Sequence, residues 1–183
     1  DLNRAIETIV HIGAAWHLNA LTEADEAVAI AVGVKHGNPC GAAVQPTSQL
    51  AIQAMINGDP LAIFGGWVVT NFPIDETAAS LLINHQVPNG RRVLDGIAAP
   101  DFSDAAITVL ARKHGKARLL RNPALADVAR RNCLKTGQQL RTVRGGFLTQ
   151  PSSAFVLNLA DSRLIKSAPL DHAREFDLLL SWA

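Results

Sequence analysis

The run Val28-Ala29-Ile30-Ala31-Val32-Gly33-Val34 constrains the fold more than any other feature of the chain. β-Branched residues alternate with Ala and Gly at a period of two, so one face is bulky, the other small, and neither polar. A strand of this kind has to be covered on both sides. It predicts an inner strand of a sheet lying between layers of helix.

Elements of the right kind surround it. A first helix is predicted over residues 2–18, as one piece or as two broken near Gly13. Residues 35–45 read as a polar, Gly/Pro-rich loop. Thr47 or Ser48 then caps a helix to about residue 57, stopped by Gly58 and Pro60. Asp75 caps a helix over residues 76–84, and Ser103 caps one reaching residue 114. Asn122-Pro123 opens another, running to about residue 135, and Pro169 precedes a last helix over residues 170–182. Short strands are predicted over residues 67–70, 93–98 and 117–121. This alternation argues for an α/β fold, a mostly parallel sheet with helices on both faces. The stretch Arg144-Gly145-Gly146-Phe147 adds an antiparallel hairpin at the sheet edge.

Composition narrows the class. A chain of 183 residues with 48% hydrophobic and 18% charged residues suits one domain over residues 1–183, with enough apolar side chains for a core. The formal net charge is +1 and aromatics make up 5%, with no Tyr, so neither a nucleic-acid nor a membrane partner is expected. No run reaches the roughly 18 apolar residues of a membrane span, and no signal segment opens the chain. Two distant cysteines, Cys40 and Cys133, fit a reducing, cytoplasmic setting. The chain opens on Asp1, which points to a processed, trimmed or excised piece.

The chemistry is expected where the apolar strand ends, at Lys35-His36-Gly37-Asn38-Pro39-Cys40-Gly41. A histidine titrates near neutrality and can accept a proton there. A neighbouring lysine can hold an anion or stabilise developing negative charge. Pro39 and Gly41 tighten the turn and let backbone N–H groups face a ligand. The plain alternative is a solvated Lys-His pair at a strand end. Cys40 as a nucleophile is a further reading, against which stand its small neighbours, typical of a packed turn.

This stretch resembles the Lys-His-x-x-Pro-x-Gly signature of AICAR formyltransferase, the transformylase part of the bifunctional purine-biosynthesis enzyme with IMP cyclohydrolase. The run from Asp59 through Phe64-Gly65-Gly66 to Val69 is similar to a second motif of that family. Asp95-Gly96-Ile97-Ala98-Ala99-Pro100 with Phe102, then Leu119-Leu120, and Arg144 to Gln150 continue in the same order, and Ala15-Trp16-His17-Leu18 resembles the helix before the active-site strand. The resemblance implies a three-layer α/β/α, cytidine-deaminase-like fold, of which this chain would be the first of two copies. It implies His36 as general base and Lys35 as the residue that orients the formyl group and stabilises charge. It places Gly65, by its backbone, and Asp95 at the aminoimidazole substrate, with Asn38, Gly41 and Phe64 beside them. The implied reaction takes a formyl group from 10-formyltetrahydrofolate to an amine such as aminoimidazole carboxamide ribonucleotide, without a metal.

The chain departs from that family in two ways. Nothing before Ala14 matches the upstream Arg-Tyr-Gly-x-Asn-Pro-His-Gln stretch whose arginine binds phosphate, and the second half is missing. A homodimer, or a partner chain carrying the second half, is therefore expected, with the apolar stripe of the last helix as the contact. The rival reading is a non-catalytic half-enzyme subunit or binding module that kept the fold. A zinc site of the deaminase kind is not expected, since it needs a Cys-x-x-Cys pair and none follows Cys40. The pairs Arg91-Arg92 and Arg130-Arg131 read as solvated charge, with a phosphate role as the alternative.

Overall fold

The computed structural model describes residues 1–19, 28–112, 115–130, 133–135, 137–158, 160–161 and 163. The helix expected over residues 170–182, and with it the proposed contact stripe, lies outside the described residues.

The alternating strand is β1 (Ala29–Lys35). Its two faces divide the core. Ile30, Val32 and Val34 pack with Ala5 and Ile9 of helix α1 (Leu2–Asn19) and with Leu125 and Val128. Ala29 and Ala31, on the small face, pack with Ala51, Ile52, Met55 and Ile56 of helix α2 (Ser48–Gly58). Small side chains on that side let the helix lie close to the strand. Helix α3 (Glu76–Asn84) and helix α4 (Asp104–Leu110) share the α2 layer, so the molecule is a three-layer α/β/α sandwich.

Three helix starts lie where local chemistry puts them. The side-chain oxygens of Thr47, Asp75 and Ser103 accept from the backbone N–H of Leu50, Ala78 and Ala106, satisfying donors that the first turn leaves orphaned. The first helix is unbroken. Gly13 marks a close approach instead of a break: a side chain there would run into the Val128 carbonyl, at the end of the 3₁₀ helix Pro123–Asp127. Of the helix expected from residue 123 to residue 135, the described residues form only this short 3₁₀ segment, and α4 ends at Leu110, earlier than its pattern suggested.

Residues 35–45 are not a loop. Asn38–Gln45 form β2, an antiparallel hairpin partner of β1. Pro39 is tolerated because β2 is an edge strand, where a missing N–H costs no interior ladder bond. The remaining strands are β3 (Trp67–Thr70), β4 (Gly96–Ala99) and β5 (Arg118–Arg121), in the order β2-β1-β3-β4-β5. β1 is antiparallel to both neighbours, while the β3–β4 and β4–β5 pairs are parallel. Four of the five strands therefore run one way, a mostly parallel sheet with β1 reversed.

The Gly145-Gly146 stretch does turn an antiparallel hairpin, β6 (Gln138–Val143) with β7 (Gly146–Pro151), but it forms a sheet of its own rather than an edge of the large one. Every residue of both strands is exposed, with Leu140, Phe147 and Leu148 each more than half accessible. No helix among the described residues is long and apolar enough to cross a membrane.

Candidate functional site

The sharp hairpin between β1 and β2 presents the two residues singled out above. Lys35 closes β1 opposite Asn38, and His36 and Gly37 make the two-residue turn. Both turn residues have positive φ, 52° at His36 and 78° at Gly37, the combination a type I′ hairpin requires. Glycine adopts this conformation freely, whereas a histidine there is strained by about 1–2 kcal/mol. Strain of this kind persists only where the surroundings hold it and collects at functional positions. The surroundings here are the β1–β2 ladder, a 3.3 Å bond from the Asn38 side chain to the His36 carbonyl, and a 2.6 Å bond from the Gly37 N–H to the Asp1 carboxylate. His36 and Asn38 are exposed, and Lys35 is half-buried.

Two further segments reach the same edge of the sheet. Asp59 opens the first by accepting the N–H groups of Leu61 and Ala62 at 3.1 and 2.8 Å. The loop carries Phe64, half exposed, and Gly65, and it ends at Gly66. A side chain at 66 would come within 2.7 Å of the Val34 carbonyl, so glycine is what lets this loop lie against the end of β1. The second segment holds Asp95. Its N–H bonds the Gly66 carbonyl at 2.9 Å, while the Gly65 N–H bonds the Val93 carbonyl at 2.7 Å, so the two segments are laced together.

Because β1 is reversed, these residues do not all lie at strand carboxyl ends. Lys35 closes its strand, but Gly65 and Asp95 stand just before the amino ends of β3 and β4. They still meet at one edge, since Val34 pairs with Trp67 and Trp67 with Gly96. Two strand spacings separate the ends of β1 and β4, about 10 Å. Gly41 lies deeper in β2. A side chain there would run into the Met55 carbonyl of α2, so packing alone already requires glycine at this position.

Sequence reasoning missed the supports: Asp59, Gly66 and Arg112. Arg112 donates to the Leu94 carbonyl at 2.9 Å and stands 3.8 Å from the Asp95 carboxylate, a loose ion pair that orients the acid. Asp59 and Gly66 fall within the second motif run without a role of their own, and Arg112 carries no sequence signal.

Burial is the main cause that raises the Cys40 thiol above its ordinary range. Asp59 adds to it, while a backbone hydrogen bond and Lys35 oppose it. A thiol held protonated is a poor nucleophile, which weighs against the cysteine reading. Cys40 and Cys133 are both free, and no group of three metal-ligating side chains occurs among the described residues.

Comparison with known proteins places this arrangement. A family model described as AICARFT/IMPCHase bienzyme matches residues 7–183. The bifunctional purine biosynthesis protein PurH of Oceanobacillus iheyensis is 32% identical over 152 residues, covering 83% of this chain and 27% of that protein. PurH of Synechococcus sp. (strain CC9311) is 34% identical over 151 residues, 82% of this chain and 25% of that protein. PurH of Listeria innocua is 30% identical and covers 98% of this chain and 35% of its own length. The chain thus spans about a quarter to a third of the curated relatives it matches. Among solved structures, RibD of Acinetobacter baumannii has a TM-score of 0.42 at 12% identity over 70% of this chain and 37% of that one, a likeness too slight to argue from. With the family match running across nearly the whole chain, the protein belongs to the AICARFT/IMPCHase bienzyme family.

Proposed function

We propose that the chain is a formyltransferase-type domain, the first half of a transformylase, acting in the cytoplasm on small-molecule substrates. The observation that carries this reading is the strained hairpin turn. It holds Lys35 and His36 at the sheet edge where the Phe64-Gly65 loop and Asp95 also end. In this reading 10-formyltetrahydrofolate donates the formyl group to the amine of aminoimidazole carboxamide ribonucleotide. That amine is conjugated to its ring and weakly nucleophilic. As it attacks the formyl carbon, His36 takes its proton, and a tetrahedral intermediate forms with negative charge on oxygen. Lys35 stabilises that charge. Collapse breaks the bond to the folate nitrogen, which leaves with a proton returned by His36. Asn38, Phe64, Gly65 and Asp95 orient the acceptor, and Gly41 contributes by letting β2 lie on α2.

A positioned general base is worth roughly 10²–10⁴-fold, and the rest of the acceleration comes from holding two substrates in contact. His36→Ala in the full-length protein should therefore lower formyl transfer by at least about a hundredfold, with the fold retained by circular dichroism. Wild-type turnover in that variant would sink the mechanism. The chain's short span relative to PurH favours a second reading, a half-site that binds substrate but turns over only with a partner chain or a second copy of itself. Adding the remainder of the enzyme to the isolated chain separates the two: transfer by the chain alone supports the first reading, and transfer only on mixing supports the second.

A further inference from the structure

The sheet edge that carries the site has two faces, and Asp95 uses one of them. It turns toward Arg112, just past the end of α4, so its carboxylate lies on the α2/α3/α4 side. Gly96, the next residue, belongs to the opposite face, because successive residues of a strand alternate. It pairs with Trp67 on one side and with Arg118 on the other. Trp67 in turn pairs with Val34, which packs in the same core as Ala5 and Ile9 of α1. Directly paired residues share a face. Trp67, Gly96 and Arg118 therefore form one row across three strands, on the α1 side.

The chemistry of this row is specific. A side chain at 96 would come within 2.5 Å of Cζ3 and Cη2 of Trp67 and within 2.6 Å of Cε3. Three neighbouring ring carbons at nearly equal distance mean that the indole lies face-on over the glycine. Trp67 is half-buried and belongs to neither hydrophobic core, so solvent reaches the ring from the side turned away from Gly96. Arg118 is exposed, and its guanidinium has no ion pair or hydrogen bond among the described residues. Leu120, two residues on and on the same face, is 36% exposed and extends the apolar surface. A flat ring can stack on the indole while an anion at its end pairs with the guanidinium fork.

We propose that Trp67 and Arg118 bind an aromatic carboxylate, its ring stacked on the indole and its carboxylate paired with Arg118. The identity of that ligand rests on the transfer reaction proposed above. The formyl donor carries a benzoyl ring joined to a glutamate, and Asp95 holds the acceptor on the other face, so the donor reaches the shared edge from the α1 side. The probe is 4-aminobenzoyl-glutamate on the full chain, read by calorimetry and by quenching of tryptophan fluorescence. It should bind, and glutarate without the ring or 4-aminobenzamide without the carboxylates should each bind at least about tenfold more weakly. Trp67→Leu keeps an apolar cover on Gly96, and it should lose most of the quenching and about tenfold in affinity. Arg118→Gln, at an exposed position, should weaken the probe about tenfold and leave 4-aminobenzamide unchanged. Arg144→Gln removes the same charge from the exposed ribbon and should change neither. Binding is read without turnover, so the two readings fail separately: a wild-type rate in His36→Ala overturns the transfer mechanism, and unchanged probe binding in Trp67→Leu or Arg118→Gln overturns the platform. No binding of the probe, glutarate binding as tightly, an equal loss in Arg144→Gln, or displacement of the probe by aminoimidazole carboxamide ribonucleotide would overturn it as well.

Discussion

Replacing Arg92 tests how the α3 layer is held beside the site. Helix α3 ends at Asn84, and its final carbonyls need donors. The His85 N–H serves Leu81, and the Val87 N–H serves Asn84. All the others are served by one residue: the Arg92 backbone N–H bonds the Ile83 carbonyl at 2.6 Å, while its side chain bonds Leu82 at 3.0 Å and His85 at 2.9 Å. Arg92→Met keeps the backbone bond and removes both side-chain bonds. Hydrogen bonds to a charged group contribute about 1.5–3 kcal/mol each, so the gross loss is about 3–6 kcal/mol. Methionine also removes the cost of burying a guanidinium, whose pKa burial already lowers, which offsets part of the loss. The Leu82 and His85 carbonyls nevertheless stay behind without donors. The net expectation is a loss of about 2–4 kcal/mol, or about 5–15 °C in melting temperature for a chain of this size. Arg92→Lys keeps the charge but loses the planar fork, and should fall between the two. Arg91→Met, exposed and with one such bond, should cost under about 1 kcal/mol. Urea and thermal unfolding followed by circular dichroism measure all of these. Should Arg92→Met prove as stable as Arg91→Met, the capping account is wrong.

Two further expectations concern the hairpin. His36→Gly relieves the positive φ while adding chain entropy, so its stability should stay within about 1 kcal/mol of wild type even as formyl transfer is lost. A β-branched replacement, His36→Val, should be less stable than the glycine variant by about 1–2 kcal/mol, and equal melting temperatures for the two would show that the turn is not strained. Cys40 should be alkylated by iodoacetamide more slowly than a free thiol at mildly alkaline pH, because its raised pKa keeps it protonated. The folded state then holds that proton longer than the unfolded state, so the Cys40 contribution is full below the unfolded pKa and declines as pH rises through and above it. Labelling at the rate of the denatured chain would refute this.

The sequence by itself determined what depends on neighbours along the chain. The N-caps at Thr47, Asp75 and Ser103 follow from a side chain reaching an N–H three residues on. The two-faced character of β1 follows from its period-two alternation, and so does the need for helices on both sides of it. The end of β1 at Lys35-His36 could be read from the same patterns, whereas Phe64, Gly65 and Asp95 came only from the family resemblance, since the strand expected over residues 93–98 runs through Asp95.

The tertiary structure decided what depends on residues distant along the chain. The reversal of β1 cannot be seen in its own side chains, because an inner strand is apolar in either direction, yet that reversal sets the end of β1 beside the starts of β3 and β4. Local composition makes residues 38–45 look like a loop, and pairing along β1 makes them a strand. Arg91-Arg92 reads as surface charge, and only the arrival of two helix ends gives Arg92 a reason to be buried. Gly13 looks like a helix break and Gly41 like a turn residue, and the backbones of Val128 and Met55 pressing on them show that they are contacts. In each case the deciding partner lies outside the range over which a backbone hydrogen bond or a side-chain period carries information.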